Sequence, residues 1–61
     1  MAIYLIDGDN NPGFGSSGTQ WLTEEDRIIV FYNNSNTFYK QEKNRRELEN
    51  STKAAVHFEL I

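Results

Sequence analysis

Apolar side chains gather in three short runs, residues 3–6, 28–32 and 54–60, with polar or glycine-rich sequence between them. Each run has the length of a strand. The second, "IIVFY", is continuous and rich in β-branched and aromatic residues, which predicts a parallel strand covered on both faces. The third, "AAVHFEL", alternates Val56, Phe58 and Leu60 with His57, Glu59 and then Ile61. One face of that strand is expected to be buried and the other wet, as on a sheet edge.

About 20 residues separate consecutive runs, enough for the crossover that parallel pairing requires and too many for a hairpin. The first connection holds Gly13, Gly15, Ser16, Ser17 and Gly18, so only a short helical turn is expected, over residues 19–22, with Trp21 and Leu22 packing on the sheet. Thr23 to Asp26, "TEED", then turns the chain into the second strand. The second connection reads as a helix over residues 38–50, "FYKQEKNRRELEN", dense in good helix formers and capped by Ser35, Asn36 or Thr37. Its apolar face is thin, with Phe38 and Leu48 on one side. The pattern as a whole predicts a single α/β domain over residues 1–61, β-α-β-α-β, forming a three-stranded parallel, Rossmann-like half-sheet.

Composition narrows the picture. A chain of 61 residues buries only about 60% of the surface that it exposes when unfolded. Small domains of this kind usually lean on disulfides, metal or oligomerisation. The absence of cysteine removes disulfides and thiolate zinc sites and accords with a reducing compartment. No run approaches the roughly 18 apolar residues of a membrane span, and the first residues lack a signal-peptide pattern. A cytoplasmic protein without membrane contact is the expectation. The formal net charge of −3 argues against a general electrostatic grip on nucleic acid.

Candidate chemistry lies where strands end. In open α/β sheets, ligands bind outside the carboxyl ends of the strands. Asp7, Asp9 and Asn10 follow the first strand, and Asn33, Ser35 and Asn36 follow the second. Two carboxylates with several amide and hydroxyl groups suit a hard cation such as Mg²⁺ or Mn²⁺. Ordinary turn chemistry explains the same residues, because Gly, Asn and Asp are what turns prefer. Asp26 precedes its strand and belongs to the opposite edge. Lys40, Lys43, Arg45 and Arg46, near Phe38 and Tyr39, could contact an RNA backbone, although a solvated helix face laced with i,i+4 pairs accounts for them too. His57 reads as surface structure.

The stretch "YLIDGDN" resembles the first strand and acidic motif of PIN-like nucleases of the NYN type, in which a hydrophobic strand ends in Ile-Asp-Gly-x-Asn. "WLTEEDRIIVFYNNSN" and "KAAVHFELI" are similar to the short helix, second strand and third strand of small bacterial PIN-like proteins. The resemblance implies a metal-dependent ribonuclease fold with strand order 3-2-1. It places Asp7 as the first catalytic carboxylate and a metal ligand; Asp9, a metal candidate through its place after the first strand, stands where that family varies. Asn10 stands for the neighbouring Asn. In that family the further acidic residues come from the later half of the fold, so this chain alone is expected not to be a competent nuclease. Non-catalytic binding of metal, nucleotide or RNA, or pairing with another protein, is the alternative. Asp7-Gly8-Asp9 also resembles the Asp-x-Asp of haloacid-dehalogenase-like phosphotransferases, with Asp7 as nucleophile, Asp9 as acid/base and Ser35 near phosphate; that family's Lys and last acidic pair have no counterpart here. In the resembled fold the first strand is central, so here it is expected to pair with a homodimer mate or a missing C-terminal half.

Overall fold

The computed structural model describes the backbone of residues 1–61 and every side chain except those of Ser16 and Ser17. Strand β1 spans Ile3–Asp7, β2 Arg27–Tyr32 and β3 Ala55–Leu60, with one helix, α1, over Glu42–Ser51. The strands form one parallel sheet in the order β1-β2-β3. Ile3 pairs with Arg27 and Arg27 with Ala55, and the register runs to Asp7, Phe31 and Glu59 at the far end.

The expected Rossmann-like half-sheet, β-α-β-α-β in the order 3-2-1, is corrected to a β-β-α-β chain in the order β1-β2-β3 with one α-helix; the departure lies in the first crossover. That crossover carries a 3₁₀ turn at Phe14–Ser17 and, over the residues 19–22 where a short helical turn is expected, a single turn closed by the Leu22 N–H on the Thr19 carbonyl at 3.0 Å. Pro12 and three glycines within seven residues make a longer helix costly, since each interior glycine costs about 1 kcal/mol relative to alanine. Leu22 is buried as expected. Trp21 instead stays more than half exposed, resting edge-on against Tyr4 with ring centroids 5.2 Å apart.

The second crossover is helical but starts later than residue 38. Residues 36–40 form a separate turn in which the Asn36 side-chain oxygen accepts the N–H groups of Phe38 and Tyr39, and the Lys40 N–H reaches the Asn36 carbonyl. Gln41 is extended, at φ −82° and ψ 119°. This break lets Tyr39 enter the core, where it is fully buried near Tyr32 and Phe58. Its hydroxyl donates to the Pro12 carbonyl at 3.1 Å, tying the two crossovers together. Phe38 is left partly exposed, and Leu48 is the one buried residue of α1.

Both crossovers pack on a single face. The core of Leu22, Ile28, Val30, Tyr39, Leu48 and Ala54 gathers Tyr4, Ile6, Phe14, Tyr32, Val56 and Phe58 around it. These strand residues all occupy one side of the pleat, and sequential strand order places successive crossovers of one hand on the same side. The opposite face carries Ile3, Leu5 and Asp7 from β1, Arg27, Ile29 and Phe31 from β2, and Ala55, His57 and Glu59 from β3. Ile3 is 61% exposed and Leu5 67%. The expectation that β2 is covered on both faces is therefore corrected: Ile28 and Val30 are buried, while Ile29 and Phe31 are only half-buried. Leu60, expected inside, is mostly exposed.

At the amino edge, Asp26 fastens all three strand starts. Its carboxylate accepts the Ala2 N–H at 3.0 Å and the Thr23 N–H at 2.9 Å, while its carbonyl accepts the Ala55 N–H. The Thr23 N–H, foremost, holds its carboxyl below the ordinary value of 3.8; burial opposes this, and the Ala2 N–H and Thr23 hydroxyl add to the lowering.

Candidate functional site

The carboxyl edge brings the two candidate loops together as parallel strand ends require. Gly8 continues the sheet ladder one step past β1, its N–H donating to the Phe31 carbonyl at 2.7 Å. Beyond it the chain folds back on Asp7. One Asp7 oxygen accepts the N–H groups of Asp9 and Asn10, at 3.2 and 3.4 Å, and the other accepts the Asn10 side-chain amide at 2.6 Å. The Asn11 N–H closes the turn on the Asp7 carbonyl. This is the local bonding by which Asp favours turns.

Asp9 points the other way and clasps the second loop. It accepts the Asn33 N–H at 3.2 Å, the Asn33 side-chain amide at 2.7 Å and the Asn36 side-chain amide at 2.6 Å. Asn33 in turn accepts the Ser35 N–H at 2.8 Å, together with the Ser35 hydroxyl. Asn36 caps the turn that buries Tyr39. The candidate residues Asp7, Asp9, Asn10, Asn33, Ser35 and Asn36 thus meet on one edge, with their hydrogen-bonding capacity directed largely at one another. A shallow groove of about 420 Å³ beside Asp9 is lined by Asn33, Ser35, Asn36, Thr37 and Phe38 among others.

Both carboxylates of this edge are engaged by the loops. Asp7 and Asp9 each accept three bonds from the loops and share no donor. Among the described residues no three His, Cys, Asp or Glu side chains converge.

The comparisons with known proteins add no relative. No family model, curated protein or solved structure matches the chain.

The basic residues are partly committed elsewhere. Arg45 donates to the Tyr39 carbonyl at 2.6 Å, closing the turn before α1. Arg46 pairs with Glu42 at 2.6 Å, the i,i+4 arrangement of a solvated helix face. Lys40 and Lys43 are exposed and make no ion pair among the described residues. His57 sits on the open sheet face, 2.8 Å from Glu59. Among the described residues no helix is long and apolar enough to cross a membrane.

Sequence reasoning missed two features that matter. Asp26 lies on the opposite edge from the candidate loops, and its place before β2 and three residues after Thr23 marks a carboxylate that ties backbone. The open face could have been read from strand order. Three sequential parallel strands put both crossovers on one side and leave Ile3 and Leu5 exposed and Ile29 and Phe31 half-buried on the other.

Proposed function

We propose that this chain is a non-catalytic protein-pairing module. The observation that carries the reading is the open face of the sheet. Ile3, Leu5, Ile29 and Phe31 form an apolar centre there, bordered by Asp7, Arg27, His57 and Glu59. Parallel sheets are stable when both faces are covered, and a contiguous apolar patch rimmed by polar residues marks an interaction surface. The carboxyl-edge acids support the non-catalytic part, since each accepts three hydrogen bonds in holding the Asp7–Asn11 turn and the Asp9–Asn36 clasp.

Hydroxyl-radical footprinting of the chain in an extract of the cells that make it tests this reading. Ile3, Leu5 and Phe31 are expected to be oxidised several-fold more slowly there than their exposure in the isolated chain implies, with the freely exposed Met1 as reference. Labelling of Ile3 and Leu5 at the rate of freely exposed side chains would sink it.

A second reading keeps one specific observation. One oxygen each of Asp7 and Asp9 accepts a single hydrogen bond, leaving a lone pair for a weakly held Mg²⁺ or Mn²⁺. Such an ion would link the edge to a phosphate of a nucleotide or RNA without cleaving it.

A further inference from the structure

The open face has a charge pattern that selects its own occupant. Its side chains stand in three rows across the sheet: Ile3, Arg27 and Ala55 at the amino end; Leu5, Ile29 and His57 in the middle; Asp7, Phe31 and Glu59 at the carboxyl end. The single positive charge thus lies at one end of the central strand, and two carboxylates flank that strand at the other. Arg27 is exposed and makes no ion pair among the described residues. Glu59 engages His57 through one oxygen only.

From this we infer that the module pairs with a second copy of itself, open face to open face, with the strands of the two sheets antiparallel. The inference rests on the pairing reading above and names its partner. A two-fold axis along the middle row lays the amino-end row of one copy over the carboxyl-end row of the other. Each Arg27 then stands over Phe31 of the second copy, between its Asp7 and Glu59, which lie about 5 Å to either side in neighbouring strands. Packed sheets are about 10 Å apart, a gap that an arginine side chain largely spans. The guanidinium gains two carboxylates and an aromatic face, twice per dimer. Leu5 meets Leu5, Ile29 meets Ile29 and His57 meets His57 along the axis. The other two-fold arrangement, with strands parallel, sets Arg27 on Arg27 and the carboxylates on one another, which like-charge repulsion disfavours.

Edge-to-edge pairing through β1 answers a different need. It would satisfy backbone groups but leave Ile29 and Phe31 in water. The footprint also sets the strength. Three strands of five residues cover roughly 14 by 17 Å, well under the approximately 800 Å² per partner of a standard interface, so self-association falls in the micromolar to millimolar range.

The test is sedimentation of the full chain from about 10 μM to 1 mM, with Arg27→Glu, Glu59→Lys and their equimolar mixture alongside. Both substitutions are at exposed positions, and far-UV circular dichroism confirms that each variant folds. The wild type is expected to rise in weight-average mass toward that of the dimer across this range. Each variant alone should associate about tenfold more weakly or worse, and the mixture should form heterodimers, counted by native mass spectrometry, with near wild-type affinity. A wild type that stays monomeric at the top of the range overturns the self-pairing. Wild-type dimers indifferent to both charge reversals overturn the antiparallel stacking. In either case, protection of Ile3 and Leu5 in extract shows that the pairing reading itself survives; its absence fells both.

Discussion

Replacing Gly8 by alanine adds one methyl group at the most crowded point of the carboxyl edge. A Cβ there would lie 2.8 Å from the Phe31 carbonyl oxygen, 2.9 Å from Val30 Cγ1 and 3.1 Å from Tyr39 Cε2. Carbon–oxygen contacts rarely close below about 3.3 Å, so the shortfall at Phe31 is about half an ångström. The same oxygen accepts the Gly8 N–H at 2.7 Å. Moving it away stretches the bond that extends the sheet past β1, and moving Gly8 shifts the Asp7 turn. Gly8 does not have positive φ, so backbone conformation does not require glycine. On that account alone alanine would stabilise by about 0.4–1 kcal/mol through the unfolded chain. Overpacking costs about 1–3 kcal/mol, which leaves a net loss on the order of 1–2 kcal/mol. For a domain this small, total stability is roughly 3–9 kcal/mol, and each kcal/mol moves the melting temperature by about 4–8 °C. A drop of roughly 5–15 °C is expected for Gly8→Ala, read by thermal melting and by urea unfolding followed through Trp21 fluorescence. An alanine variant that melts at or above the wild type would refute the packing argument.

Leu48→Ala removes the one buried side chain of α1 and is expected to cost about 2–5 kcal/mol, with helical circular dichroism lost before the sheet signal as urea rises. At Asp26 the folded carboxyl releases its proton at lower pH than the unfolded one, chiefly because of the Thr23 N–H. Its stabilisation is therefore full above the unfolded value and lost as pH falls through the folded one; Asp26→Asn should be less stable at neutral pH and flatten the acid limb of a stability–pH curve from urea titrations. Burial raises the Tyr39 phenol above its ordinary value of 10, so its contribution is intact below 10 and declines as pH climbs through the folded value, a decline that Tyr39→Phe should remove while costing about 0.5–1.5 kcal/mol for the lost bond to Pro12. With Mn²⁺ present, the chain is expected to leave single-stranded RNA uncut, as a gel assay would show; cleavage that disappears in Asp7→Ala would reverse the non-catalytic assignment.

The strands were legible because their signals are local: "IIVFY" reads as a strand, although it is covered on one face only, and Val56 and Phe58 fall on the core side where alternation puts them. Strand-end logic also brought Asp7 and Asp9 to the same edge as Asn33–Asn36. The start of α1 was not legible. Propensity favours helix from Phe38 onward, but burying Tyr39 against Phe58 outweighs a few tenths of a kcal/mol per residue, and Gln41 is extended as a result. What the polar loop residues do with their hydrogen bonds was equally hidden, because Asp9 meets Asn33 and Asn36 across 24 and 27 positions of chain. Residue type shows that a carboxylate can accept; only the fold shows what has already been donated to it.

The parallel register also governs how fast this sheet can assemble. Ile3 pairs with Arg27 and Arg27 with Ala55, so every ladder contact closes a loop of more than 20 residues in a chain of 61. No hairpin exists to serve as a local nucleus, and α1 alone is too short to persist in water. The entropy of both closures must be met before β2 gains either neighbour. High relative contact order of this kind places folding in the slower, millisecond-to-second range despite the small size. During that interval "IIVFY" is unshielded on every side. Dilution, low temperature and rapid partner capture should therefore raise refolding yield more than added salt or a longer wait.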